Sequence, residues 1–281
     1  MTVLTLASFT LREALRKKIL LGALVLTVGF LIVYGAGMFF AVREFNNVSN
    51  GSPQIRALSL AGLLMAGLYV LNSIAGLLAI FVSVASISWE IDQGTLHAVI
   101  PRPVTRWQVI IGKWLGFAAM LVAYTAATTL ATMAIVWAIG GYFPSGALGG
   151  VALMCLGTLL LLSLTMAGST FLPAITNGIV IFMLYSVGTL GGMIEQIGWA
   201  ITNRTMVNIG IISSLMIPTD SIWKMAAQAL QTDLPGGRLA MAVMGPFASI
   251  NPPSMWMAAY AGLYGLAAMA AAVIIFQRRD L

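Results

Sequence analysis

The chain has 281 residues, of which 60% are hydrophobic and 8% charged, and its formal net charge is +6. A soluble domain carries about 25% charged residues to keep its surface hydrated, so this composition excludes a soluble globular protein and predicts an all-α protein that crosses a lipid bilayer. The basic residues lie at the ends of apolar runs and form no stripe interleaved with aromatic residues, which argues against nucleic-acid binding.

Residues 1–18 precede the first apolar run and predict an N-terminal interfacial helix. Leu11, Ala14, Leu15 and Lys18 have helical spacing on one side, and Arg12 and Arg16 lie on another. Thr10 and Glu13 have capping-box spacing within this segment. Four basic residues would lie along the inner membrane face: Arg12, Arg16, Lys17 and Lys18. A plain topological anchor is a compatible alternative. The apolar run that follows is too long for a signal peptide, so we expect a retained first span.

Six apolar segments are long enough to cross a membrane as helices. They are 19–42, 58–88, 108–139, 148–172, 174–198 and 255–276. Pro173 predicts the break between the fourth and fifth, because proline cannot donate a helical hydrogen bond. The apolar stretches of segment 199–254 are shorter, which predicts outer re-entrant or interfacial helices, one of them starting at Pro218-Thr219-Asp220.

The distribution of positive charge predicts six spans with both termini in the cytoplasm. This arrangement places nine of the 14 Lys and Arg residues inside, in agreement with the positive-inside rule. A seventh span would move Arg278 and Arg279 to the outside, against the rule. We therefore predict a multi-pass integral protein of the plasma (inner) membrane, with 199–254 on its extracytoplasmic side.

The inner loop 89–107 connects the second and third spans. As a helix it would place Glu90, Gln93, Gly94 and His97 on one face. Prolines at 101 and 103 would end that helix, and the Thr105/Gln108 capping-box pattern would start the third span. Such a clamped cytoplasmic coupling helix could transmit a push from a partner into both spans, while an ordinary interfacial loop is the alternative.

Several site types are excluded or disfavoured by what the chain lacks. His97 is the single histidine, which excludes a multi-histidine metal site, and the methionines lie in apolar runs where Met is usually packing material. No P-loop motif occurs, so the chain has no such site for ATP phosphates. Ionisable residues are scarce in the spans, which argues against ion-coupled secondary transport. We expect no catalytic site, no metal and no cofactor bound by this chain.

The loop sequence resembles that of type-2 ABC transporter permeases, including the copper-enzyme-maturation group. The resemblance is carried by Glu90-Ile-Asp-Gln-Gly94-Thr-Leu96, Pro103-Val-Thr-Arg106 and Gly112-Lys113, together with the basic N-terminus and the closing Phe276-Gln-Arg-Arg-Asp-Leu281. It implies a single permease domain over 1–281 that pairs with a second permease chain. It also implies a separate cytoplasmic ATPase subunit, which would bind ATP and Mg²⁺.

The resemblance places coupling to that ATPase on the inner loop and the N-terminal helix. The residues implied are Glu90, Asp92, Gly94, Thr95, Leu96, Arg102 and Arg106. The expected function is the membrane subunit of an ATP-driven exporter. Segment 199–254 would either cap the outer end of the translocation path or be a structured loop that only stabilises packing. Two alternatives stay open: an ABC-type permease that delivers force to an extracytoplasmic partner, and an ATP-independent channel or carrier.

Overall fold

A computed structural model describes residues 2–48, 53–88, 105–231 and 253–278. Within these ranges the chain forms nine helices and no strand. In chain order they are α1 (Thr2–Arg16), α2 (Lys18–Val48), α3 (Pro53–Ser83), α4 (Arg106–Gly140), α5 (Ala147–Ser169), α6 (Ala174–Ala200), α7 (Arg204–Met216), α8 (Thr219–Leu230) and α9 (Met255–Arg278).

The prediction of six membrane spans is confirmed. In the described part of the chain six helices are long and apolar enough to cross a bilayer, namely α2, α3, α4, α5, α6 and α9. The longest, α4, has 35 residues, or about 52 Å at the helical rise per residue, so it extends beyond a hydrocarbon core of about 30 Å. As predicted, Pro173 separates α5 from α6 and precedes the first helical residue, Ala174.

The predicted second span is too long at its C-terminal end. The helix α3 stops at Ser83 instead of residue 88 and continues as turns. A buried lysine on the next helix stabilises this ending, because Lys113 Nζ donates to the Ser86 carbonyl over 2.5 Å. That hydrogen bond satisfies a carbonyl that the helix no longer pairs.

Contacts at the helix ends place both described termini at the same end of the bundle. The first turns of α4 contact α1 through Gly112 and Gly116. Arg106, the first residue of α4, donates to the Phe276 carbonyl at the end of α9 over 3.3 Å. We call this end the N-terminal face, and the end where α7 begins the opposite face.

The centre of the bundle consists of α3, α4 and α5. Of the most apolar window of α3, 61% is buried, compared with 11% in α2 and 17% in α9. Peripheral helices of this kind are stable in lipid, because hydrocarbon does not penalise exposed apolar side chains. Buried threonines on α4 bond one turn back along their own helix, as in Thr128 Oγ1 to Tyr124 O at 3.0 Å and Thr132 Oγ1 to Thr128 O at 2.9 Å.

The helices α7 and α8 enter the bundle from the opposite face and return to it. Running antiparallel to α6, α7 contacts it first at Gly198 and then at Gly191, while Ile217 after α7 lies against Gly188. The helix α8 begins at Thr219, as predicted, and runs back along α5. Its Ile222 contacts Gly157 and its Leu230 contacts Gly150 near the start of α5. This is the geometry of a re-entrant pair, one of the two alternatives open for this segment.

Candidate functional site

Arg106 is the one predicted coupling residue that lies among the described residues. Glu90, Asp92, Gly94, Thr95, Leu96 and Arg102 lie outside them, as does most of the predicted coupling helix. Their role therefore stays a prediction. The structure does describe the helices on both sides of the loop, with α3 before it and α4 after it.

Arg106 connects the start of α4 to the end of α9. Its Nη1 lies 3.3 Å from the Phe276 carbonyl and 3.4 Å from the Gln277 carbonyl. These carbonyls belong to the last turn of α9, where a helix carries partial negative charge. The Thr105 N–H donates to Gln108 Oε1 over 3.2 Å, so the glutamine half of the predicted capping box holds the chain at the start of α4.

Lys113 connects α4 to the end of α3, on the other side of the same loop. It is 8% exposed, and its hydrogen bond to Ser86 O places a charged group where the chain leaves the bundle. In the sequence, Gly112-Lys113 forms part of the family motif, and no site role is predicted for Lys113. The sequence does contain a signal for such a role, because a lysine one turn inside an apolar span is unusual.

The N-terminal helix lies against α4, because two glycines remove the side chains that would separate them. A Cβ at Gly112 would lie 2.7 Å from Leu6 Cβ, and one at Gly116 would lie 2.7 Å from the Ala7 carbonyl oxygen. The capping-box spacing of Thr10 and Glu13 does not mark a helix end. Thr10 lies inside α1 and its hydroxyl donates to Leu6 O over 3.0 Å.

The four basic residues of the N-terminal segment fall into two environments. Arg12, Arg16 and Lys18 are exposed. Lys17 lies between α1 and α2 and faces the bundle, with its Nζ 3.4 Å from Glu13 Oε1 and 3.4 Å from Val82 O. The same ammonium lies 5.2 Å from the centre of the Phe117 ring. Lys17 therefore ties α1 to the ends of α3 and α4, while the other three are available to solvent, lipid headgroups or a partner.

A buried ion cluster, formed by Glu195, Asp220 and Lys224, lies toward the opposite face. Lys224 Nζ is 2.7 Å from Glu195 Oε2 and 2.8 Å from Asp220 Oδ2. The side chains of Lys224 and Asp220 are 3% and 5% exposed. Burying charges in this way is costly unless they are paired and hydrogen-bonded, and here each carboxylate is paired with the same ammonium.

Two glycines make room for the cluster. A Cβ at Gly192 would overlap the Asp220 carboxylate, and a Cβ at Gly210 would overlap Glu195. Burial raises the pKa of Asp220, which lies outside the six spans, to about 6, although Lys224 acts in the opposite direction. Two carboxylates thus face one ammonium in the cluster.

Glu195 falls near the outer end of the fifth predicted span, 174–198, but its partners were not predicted. Asp220 and Lys224 have i,i+4 spacing on a short helix, which favours an ion pair. What periodicity could not show is that α7 and α8 fold back into the bundle and bring this pair to α6. Within the described residues no three His, Cys, Asp or Glu side chains are grouped as metal ligands.

The comparisons with known proteins agree with the architecture. A family model described as ABC-2 family transporter protein matches residues 4–281, a range that includes all six spans. No curated protein matches the chain. Because the match extends over nearly the whole sequence and the described residues form six apolar helices of spanning length, the chain belongs to the ABC-2 family of transporter proteins, as a multi-pass permease component of the membrane.

Proposed function

We propose that the chain is the permease subunit of an ATP-driven exporter, powered by a separate ATPase subunit on the N-terminal face. The observation that carries the proposal is the family match over residues 4–281. The absence of a P-loop motif from the sequence is the reason for assigning ATP and Mg²⁺ to the partner. Outward transport, pairing with a second permease chain and the inner membrane location follow from the resemblance of the loop to type-2 ABC permeases.

Support for the docking part of the proposal comes from the contacts around the inner loop. Lys113 bonds the turn after α3, Arg106 bonds the last turn of α9, and both belong to α4. The helix α1 packs against the same part of α4. A displacement of the loop would therefore act on three spans and the N-terminal helix together, because packed helices move as rigid elements.

The proposal is tested by co-expressing the chain with an ABC-type ATPase subunit and purifying the two together. We expect Glu90→Lys and Arg106→Glu to weaken the complex and to reduce the stimulation of ATP hydrolysis by the permease, since a reversed charge repels its former partner. Arg204→Glu is the matched control, because Arg204 is an exposed residue at the start of α7, on the opposite face.

Arg106→Lys separates docking from internal packing. It retains the positive charge but replaces a planar fork by a point charge, so a loss of coupling with intact complex formation would assign Arg106 to the α4–α9 contact. If both charge reversals left complex formation and ATPase stimulation unchanged, the docking proposal would be wrong. Transport by the chain alone in liposomes would contradict the ATP-driven function.

A further inference from the structure

A cavity of about 270 Å³ adjoins the ion cluster toward the opposite face. Its lining includes Glu195 and Trp199 of α6, Ser214 of α7, Ser221 of α8 and Met257 of α9. Four helices thus contribute described residues to one recess. We refer to it as the Glu195 cavity.

The charge at the cavity wall is negative. The formal charge of the cluster is −1, because one ammonium faces two carboxylates. The lysine bonds Glu195 through Oε2, and no described residue forms a hydrogen bond with Oε1. Glu195 is also the most exposed member of the cluster, at 13%. The excess negative charge is therefore presented to the cavity by Glu195.

A buried hydroxyl in the cavity wall has no partner. Ser214 is 4% exposed, and its Oγ forms no hydrogen bond to any described residue. A buried polar group costs free energy when it is left unpaired. Together with the carboxylate, this oxygen provides two acceptors for a ligand that carries N–H donors.

The rest of the wall is suited to an apolar body next to a cation. The indole of Trp199 is 42% exposed and can attract a cation through its ring face. Ile211, Leu215, Pro253 and Met257 complete the apolar part of the lining. Small-molecule sites commonly combine an apolar wall with a few convergent polar groups.

We propose that the Glu195 cavity binds a primary organic ammonium ion with a small apolar body, its N–H groups donating to Glu195 and Ser214. As a binding site it stands independently of the transport reaction. As the substrate class of the transporter it rests on the proposed function. The ammonium could belong to a soluble amine or to the headgroup of an aminolipid, which share this chemistry.

The test measures binding of 2-phenylethylammonium to the full-length chain in a non-ionic detergent, by isothermal titration calorimetry without any ATPase. We expect the neutral analogue 2-phenylethanol and the quaternary phenethyltrimethylammonium to bind more weakly, since the first lacks charge and the second lacks N–H donors. Glu195→Gln should weaken the binding of 2-phenylethylammonium about tenfold, because it removes a charge-assisted hydrogen bond. Glu44→Gln, which changes an exposed carboxylate at the end of α2, should leave the affinity unchanged.

Ser214→Ala keeps the test decisive if Glu195→Gln fails to fold. It should weaken the binding of 2-phenylethylammonium about fivefold through loss of one hydrogen bond and leave the binding of the quaternary ion unchanged. Equal affinity for 2-phenylethanol, or an unchanged affinity in both variants, would overturn the proposal. Competition by phosphatidylethanolamine, but not by phosphatidylcholine, would identify an aminolipid as the ligand, and its absence a soluble amine. Because no ATPase is present, a failed co-purification would not affect this result.

Discussion

At the scale of single residues, the most consequential group is Lys224. It is the only described cation within hydrogen-bonding distance of the Asp220 and Glu195 carboxylates, and all three side chains are largely buried. Removing one member of such a cluster leaves an uncompensated charge in a medium that cannot solvate it. The stability of α6, α7 and α8 as a unit should therefore depend on this one ammonium group.

Lys224→Met should destabilise the protein by about 3–5 kcal/mol, the usual cost of breaking a buried ion pair from one side. Thermal unfolding in detergent, followed by tryptophan fluorescence, measures the change in Tm. Adding Asp220→Asn to Lys224→Met should recover part of the loss, because it removes one stranded charge. Arg204→Met, at an exposed position, is the control, and an equal fall in Tm for both single variants would contradict the prediction.

Thr202 is strained where α6 turns into α7. Its φ is +57°, in the left-handed region that is unfavourable for a β-branched residue. The turn closes α6 with the Asn203 N–H donating to Gly198 O over 2.8 Å and the Thr202 N–H to Trp199 O over 3.4 Å. This is the Schellman arrangement, in which glycine is preferred at the position that Thr202 occupies.

Thr202→Gly should raise the free energy of unfolding by about 1 kcal/mol, because glycine adopts a positive φ without the steric cost of a Cβ. Thermal unfolding measures the effect. Thr202→Ala serves as the comparison, since it removes the hydroxyl but retains the Cβ and should give little of the gain. If alanine stabilised as much as glycine, the hydroxyl and not the backbone would be responsible.

At the scale of helices, the contact of α1 with α4 depends on the missing side chains of Gly112 and Gly116. Glycine inside a helix normally destabilises it relative to alanine, by about 1 kcal/mol. Here the helices approach so closely that a Cβ at Gly116 would meet a backbone carbonyl, which cannot move aside as a side-chain end can. Tertiary contact thus outweighs helix propensity at this position.

Gly116→Ala should lower the Tm and increase cleavage of α1 by protease, because the added methyl displaces α1 from α4. Gly22→Ala is a matched control, since it makes the same exchange within a helix where a Cβ would meet nothing within 4 Å, and it should leave the Tm unchanged or raise it. Limited proteolysis and thermal unfolding measure both variants. A Gly116→Ala protein as stable and as resistant as the Gly22→Ala protein would contradict the close contact.

At the scale of the whole molecule, six spans place the α4–α5 connection on the opposite face and the α5–α6 connection on the N-terminal face. Phe143 lies in the first connection and Phe171 in the second, and both are exposed. Positive charge on the N-terminal face predicts that this face is cytoplasmic. The two phenylalanines therefore form a matched pair for testing orientation.

In a Cys155→Ser background, which removes the single native cysteine, Phe143→Cys should react with a membrane-impermeant maleimide on intact cells. Phe171→Cys should react only after the cells are permeabilised, like a C-terminal tag after Leu281. The physical reason is that the charged reagent cannot cross the hydrocarbon core. The reverse pattern would invert the topology, and labelling of both in intact cells would contradict six crossings.

The sequence by itself determined the membrane setting, the six spans, the proline break before α6 and the start of α8. These follow from local quantities, namely apolar length, the missing N–H of proline and hydrogen bonding at helix ends. The family could also be recognised, because its motif residues are contiguous in the inner loop. The capping-box spacing of Thr10 and Glu13 carried no such information, since the same spacing also occurs inside a helix.

Only the tertiary structure decided which charges meet. Glu195 and Lys224 are separated by 29 residues, and they pair because α7 and α8 turn back into the bundle, where Gly192 and Gly210 leave space for carboxylates. Likewise, Arg106 reaches the end of α9 across 170 residues. Hydrophobic periodicity describes one helix at a time. Neither the ion cluster nor the hydrogen bonds of Arg106 and Lys113 beside the inner loop could therefore be derived from it. Both arise from how helices pack on each other.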